Sequence, residues 1–238
     1  MGKAAIALLL VTLVPGGGAT CQAGTARQAL TARNLSALRS AIRDLAASFD
    51  AKYPKADEYL ARLDDIERTG QGDSEALQRE ALLANPLLDG LQLLVVKRRC
   101  KPDDPGFPTN HECNASLPRT GWDNELALLS APRPDATLRT LYRPNIGGYL
   151  AEVDLHWDAD RLLFAQSDAA TWKVWETRPD GSGLRRVSAM PDDVDCFDPC
   201  YLPNGRILFG STASFQAVPC WHGQKRVSNL YVMNADGT

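Results

Sequence analysis

Apolar residues return every three or four positions through the first third of the chain. Leu35, Leu38, Ile42, Leu45 and Phe49 follow one another at spacings of 3, 4, 3 and 4, which places them on one stripe of an amphipathic helix. Pro54 closes that helix. A second helix is predicted over Ala56–Arg68, with Tyr59, Leu63 and Ile66 on one face, and Gly70-Gln71-Gly72 ends it. Asp73 then has the side chain to cap a third helix that finishes before Pro86. Charge on this stretch is nearly even, with nine basic and ten acidic residues between Thr25 and Asn85. Such a balance suits a solvated helical hairpin packed on a neighbouring domain, with a partner-binding coiled coil as the alternative.

Beyond Asn85 the period changes from helical to β. Short runs rich in strand-forming residues are separated by turn dipeptides, and they repeat. Arg161-Leu162-Leu163-Phe164 and Arg206-Ile207-Leu208-Phe209 lie 45 residues apart, as do Arg133-Pro134-Asp135-Ala136 and Arg178-Pro179-Asp180-Gly181. Each unit reads as an inner strand, a turn (Asp158-Ala159-Asp160 or Pro203-Asn204-Gly205), the strand that starts at Arg, a loop, and a third strand. The third strands are Trp172–Thr177 and Asn229–Asn234, closed by Asp180-Gly181 and Asp236-Gly237, and Leu184–Val187 supplies a fourth in the middle unit. The same order runs back through Asp89-Gly90, Leu93–Val96 and Asn124–Ser130. A four-stranded unit at a period near 45 is the pattern of a propeller blade. The expected fold is therefore mainly β: a partial β-propeller of about three blades (87–142, 150–188 and 195–238), preceded by a short helical segment over 24–86. Rings of this type close with four to eight blades, so the ring is expected to be incomplete and the chain to be the N-terminal part of a longer protein.

The N-terminus adds a compartment. Met1-Gly2-Lys3, an apolar run from Ala4 to Val14, Pro15-Gly16-Gly17-Gly18 and the small residues up to Ala23 follow the order of a secretory signal over 1–23. Eleven apolar residues are too few to span a bilayer, which takes about 20. No membrane span is expected after cleavage, and a periplasmic or secreted location follows. The 238 residues carry a net charge of −3 with 44% hydrophobic and 23% charged residues, which excludes a disordered chain and a nucleic-acid binder that relies on bulk positive charge.

Export makes disulfides chemically reasonable for the five mature cysteines, Cys100, Cys113, Cys196, Cys200 and Cys220. Cys100–Cys113 and a link from Cys196 or Cys200 to Cys220 are the expected pairings, and an odd count leaves one over. The alternative is a metal site built from His111-x-Cys113 and Cys220-x-His222, because zinc draws on Cys and His, although usually at longer local spacing. Residues 98–122 and 211–228 are both insertions between the second and third strands of their blades. They should emerge on one rim, with a gap where blade two has only Gln166–Ala170. His156 belongs to the inner strand of blade two, either lining the channel or satisfied by a neighbouring backbone group. Asp192, Asp193 and Asp195 offer either carboxylate oxygens to a hard cation such as Ca²⁺ or a solvated acidic loop. No nucleophile elbow, phosphate loop or helix-borne His pair is present in the sequence.

Several segments together resemble exported bacterial proteins of the hydrazine synthase alpha subunit-like family. They are Asn85-Pro86-Leu87-Leu88, the run Ser116 to Glu125 (SLPRTGWDNE), Asp154-Leu155-His156-Trp157, Cys200 to Arg206 (CYLPNGR) and Asn229-Leu230-Tyr231. The resemblance spans roughly residues 30–238 and implies a TolB/WD40-like propeller. In hydrazine synthase that subunit also carries c-type haem, which needs Cys-x-x-Cys-His. This chain has no such run, since Cys196-Phe197-Asp198-Pro199-Cys200 is one residue too long and is followed by Tyr201. The expectation is thus a non-catalytic binding or scaffold module that meets a protein or polymer partner on its rim. No cofactor is expected in this chain, and haem c or a metal ion would belong to a longer protein. Two alternatives stay open: a subunit of a redox complex with haem supplied elsewhere, and a hydrolase or lyase acting on a polymer in the channel.

Overall fold

The computed structural model describes residues 6–8, 32–99, 119–217, 219, 222, 223 and 225–238. The chain divides into two compact units, residues 20–91 with 131–136, and residues 1–19 with 92–130 and 137–238.

The first of these is helical. Helix α1 covers Ala32–Phe49, α2 Ala56–Thr69 and α3 Ser74–Leu83. Their apolar stripes meet in a core of Leu38, Ile42, Leu45, Tyr53, Tyr59, Leu63, Leu77 and Ala81. The ends follow local chemistry. Gly70 stops α2 in the left-handed region at φ 65°, returning its N–H to the Ile66 carbonyl. The Asp73 carboxylate accepts from the Ala76 N–H at 2.9 Å and starts α3. Tyr53, buried, donates its hydroxyl to the Ala81 carbonyl at 2.9 Å, and that burial pushes the phenol up to about 12.

The other unit is mainly β, with three sheets that follow one another along the chain as propeller-type blades. Sheet one holds β1 (Ile6–Leu8), β2 (Gln92–Arg98), β3 (Asn124–Leu129) and β4 (Leu138–Tyr142). Sheet two is β5 (Leu150–Leu155), β6 (Leu162–Ser167), β7 (Trp172–Thr177) and β8 (Arg185–Arg186). Sheet three is β9 (Cys196–Tyr201), β10 (Ile207–Ser211) and β11 (Asn229–Met233). All neighbours are antiparallel except β1, which pairs parallel with Gln92–Leu94. That contact places three residues of the expected signal segment at the edge of sheet one, a position the apolar pattern did not foretell. The fourth strand of the middle sheet is shorter than the expected Leu184–Val187.

Two apolar layers join the sheets. Leu94, Val96 and Leu126 of sheet one pack on Leu150, Val153, Leu162 and Phe164 of sheet two. On its other side sheet two sends Leu163 and Val174 against Cys196, Tyr201, Ile207, Phe209 and Met233 of sheet three. Each fully buried Leu or Phe contributes roughly 1.5–3 kcal/mol relative to exposure. Trp172 and Trp175 both belong to this packing, the first beside Tyr149 and Phe197, the second on the layer between sheets one and two.

The repeat extends to an irregularity in the inner strands, which are offset by 46 residues. In β5 the pairing with β6 shifts between Ala151 and Asp154, and in the β9–β10 pair it shifts between Leu208 and Gly210. Each inner strand carries a non-glycine residue in the left-handed region at that point, Glu152 at φ 58° and Asp198 at φ 50°. The two bulges are bonded to each other: the Asp198 N–H donates to Glu152 Oε2 at 2.6 Å. Three residues on, the Tyr201 N–H donates to Asp154 Oδ2 at 2.7 Å.

Candidate functional site

The described ends of the loops between second and third strands meet on one rim. Arg119, from the end of the first insertion, and Lys225 and Arg226, from the second, line a single open cavity of about 340 Å³ together with Ala170, Thr171, Asp193 and Asp195. This is the gap expected over the short loop of sheet two. Cys113 and Cys220, the residues named for the common rim, lie outside the described residues, but the described ends of both insertions converge as the blade register requires.

Asp195 organises the floor, with its side chain only 5% exposed. Its Oδ1 accepts from the Trp172 N–H at 3.0 Å, and both oxygens accept from Arg119 Nη2 at 3.2 Å. Its own N–H donates to Thr212 Oγ1 at 3.0 Å, which anchors the start of the second insertion. Ser167 fixes the other side, accepting from the Tyr149 N–H at 2.7 Å and donating to the Arg119 carbonyl at 2.6 Å. The short loop is held by Asp168, whose Oδ1 accepts from the N–H groups of Ala170 and Thr171 at 2.7 and 2.8 Å. In the second insertion Ala217 and Arg226 form an isolated antiparallel bridge. From it Arg226 donates to the Asp193 carbonyl at 2.6 Å and lies 4.9 Å over the Phe215 ring.

The acidic run does not form a cation cage. Asp192 faces Arg186 at 3.7 Å, Asp193 faces Arg226 at 3.6 Å, and Asp195 is clasped by Arg119. The loop carbonyls of Pro191 and Val194 accept from the buried Lys173 ammonium at 2.6 and 2.7 Å, so an internal cation takes the oxygens a metal would use. Of the two alternatives for this run, the exposed acidic loop describes Asp192 and Asp193, and the Ca²⁺ alternative does not fit. Among the described residues no three His, Cys, Asp or Glu side chains converge to hold a metal.

Of the zinc-type set, His111, Cys113 and Cys220 lie outside the described residues, as does Cys100. His222 is exposed in a turn, at φ 51°, with its N–H on the Pro219 carbonyl at 3.0 Å. The two described cysteines are free thiols. Cys196 is fully buried between sheets two and three, where its Sγ lies 3.8 Å from Ser211 Oγ and burial pushes the thiol up.

His156 sits one residue past the end of β5, at the opposite end of the strands from the cavity. Arg161 Nη2 meets its Nε2 at 2.6 Å, and the Asp158 backbone N–H donates to its Nδ1 at 3.3 Å, with Asp160 Oδ1 at 3.5 Å and Asp158 Oδ2 at 3.6 Å nearby. The ring stands edge-on to Tyr201 at 4.9 Å, and Tyr201 donates to Glu176 Oε1 at 3.0 Å. Burial and then the Glu176 charge hold the Tyr201 phenol well above its usual range. A larger cavity, about 550 Å³, lies in the helical unit beside Tyr53, Tyr59, Arg79 and Arg133. Charges around that core are paired locally, Arg62 with Glu58 and Glu80 and Arg133 with Asp89.

The class defined by fold and rim is thus a mainly β, blade-repeat protein with a polar rim pocket. No family model matches the chain, and no curated protein matches it. Among solved structures the chain is similar to a putative TolB from Agrobacterium tumefaciens, at 15% identity and TM-score 0.37, over 49% of this chain and 36% of that one. It is also similar to Kuenenia stuttgartiensis hydrazine synthase, at 17% identity and TM-score 0.40, over 59% of this chain and 20% of that one. No helix among the described residues is long and apolar enough to cross a membrane.

Proposed function

We propose that the chain is an exported binding or scaffold module of the hydrazine synthase alpha subunit-like kind, non-catalytic in itself, which engages a protein or polymer partner on the rim that carries Arg119, Lys225 and Arg226. One observation carries this reading: the described ends of two separate insertions and a tight loop are bonded into a preformed rim pocket, with Asp195 and Ser167 tying the pieces to the rigid sheets. Rigid strands with variable loops on a rim are a general arrangement for recognition. The groups around the pocket act as struts: Asp195 is held by a guanidinium and a backbone N–H, and the Lys173 ammonium by two carbonyls. That pattern favours recognition over proton transfer.

The test places a photo-crosslinking side chain at Ala169, beside the pocket, and separately at Trp157, which is 68% exposed at the other end of the strands. In the native host the Ala169 protein should form a discrete adduct and the Trp157 protein none. Adducts from Trp157 alone, or from neither, would overturn the reading.

A further inference from the structure

We infer that the cavity of the helical unit binds a free α-amino acid with a large apolar side chain, at a site separate from the rim. The cavity, about 550 Å³, is lined by the approach to α2, by α2 and α3, and by residues 133–135, all within one compact unit. That volume falls in the usual range for small-molecule sites, roughly 300–1,000 Å³. Tyr53, Pro54, Leu83 and Pro134 give it apolar wall.

Three polar groups on that wall go unpaired among the described residues. Tyr59 is 2% exposed, and a tyrosine so buried usually finds a partner for its hydroxyl. Here the hydroxyl makes no hydrogen bond and is not sealed from solvent, so it opens on the cavity. Burial, then the Glu80 charge, raises the phenol, and the hydroxyl keeps its proton to donate. Glu80 itself is engaged by Arg62 at 2.7 Å. Beyond the pairs already described, the Arg79 guanidinium and the Asp135 carboxylate have no ion pair or hydrogen bond, and although both line the cavity they do not meet each other.

Opposite charges left apart on one wall select a ligand that carries both. A carboxylate matches the planar guanidinium of Arg79, and an ammonium matches Asp135. In an α-amino acid those two groups share one carbon, so a single small molecule supplies both within one cavity. The Tyr59 hydroxyl is a further donor for the carboxylate, and an apolar side chain displaces water from Tyr53, Pro54 and Leu83.

Calorimetry on the full chain with L-phenylalanine, phenylpropionate and phenethylamine tests this, since each of the last two lacks one of the charges. L-Phenylalanine should bind saturably, at least tenfold tighter than either analogue, and more weakly as salt rises. Arg79→Ala and Asp135→Asn should each weaken it at least tenfold with an unchanged unfolding midpoint, and Arg79→Ala should erase its advantage over phenethylamine. Tyr59→Phe, which keeps the ring, should weaken it about threefold. Asp57→Asn, an exposed α2 charge outside the cavity, should leave it unaltered. No saturable heat at millimolar L-phenylalanine, equal affinity for either analogue, or indifference to Arg79→Ala and Asp135→Asn would each overturn the inference. The Ala169 crosslink reads the rim alone, so either proposal can fall without the other.

Discussion

The joint between sheets one and two and the joint between sheets two and three solve one problem with different chemistry. In both, the start of a third strand must be tied to the inner strand of the next sheet. At the first joint the agent is a neutral amide. Asn124 accepts from the Leu150 N–H at 2.6 Å and donates to the Gly148 carbonyl at 2.8 Å, standing in for a peptide. The chain there runs so close to sheet two that a Cβ on Gly148 would lie 2.0 Å from the Ser167 carbonyl oxygen, so only glycine fits. At the second joint the agents are charged: Asp195 against Arg119 and the Trp172 N–H, and Lys173 under the carbonyls of the crossing loop. Only the charged joint borders the rim pocket. A neutral bond is enough to hold two sheets; the ionic one also aims a guanidinium at the opening.

This contrast can be broken by substitution. Asp195→Ala should have the largest effect, about 3–5 kcal/mol lost in denaturant unfolding, because it takes a buried carboxylate from Arg119 and leaves the buried Trp172 N–H without its acceptor. Asn124→Ala should cost less, about 2 kcal/mol, since only neutral groups lose partners. If the two losses were equal, the ionic joint would have no special standing. Within sheet one, Glu125 offers a pH readout. Burial alone would push its carboxyl up, but hydrogen bonds from Lys97 and Arg143 outweigh that and hold it below the usual carboxylate range. A depressed acid stabilises above its unfolded value and loses that contribution as pH falls through its folded value. Glu125→Gln should therefore flatten the acid limb of the stability curve below about pH 4.5 and leave the Asn124 and Asp195 losses unchanged. The smallest effect expected is a gain: Asp198→Gly keeps the N–H that meets Glu152 and removes the left-handed strain, adding about 0.5 kcal/mol.

Much of the fold was legible because its repeat is written in short, local signals. The Arg-started strands, the Asp-Gly turns and the helical stripes each depend on residues within one or two turns, and β6, β7, β9, β10 and β11 fall where those signals put them. The parallel contact of Ile6–Leu8 was not legible, since nothing local marks which edge a short apolar run will join. The site was legible only in outline. Equal insertion points predicted a shared rim and a gap, but Arg119, Lys225 and Arg226 were missed as wall residues because their meeting spans 106 positions of sequence. A usable signal was present: charged residues stand at the ends of both insertions, next to the strands that fix them. Of the two readings of the acidic run, the exposed loop fits Asp192 and Asp193 and the shared cation does not. Adjacent carboxylates suggest a common ion, yet the partners that separate them come from Arg119, Arg186 and Arg226.

The bond from Glu152 to the Asp198 N–H has a consequence for how such a molecule grows. Asp198 occupies in its own strand the place Glu152 holds one unit earlier, with an acidic side chain and the same bulge. A tandem duplication of the unit would therefore arrive with an acceptor on one side and a donor on the other, already matched to its parent. Lengthening by gene copying then needs no new interface to evolve first, and divergence is left free to act on the loops.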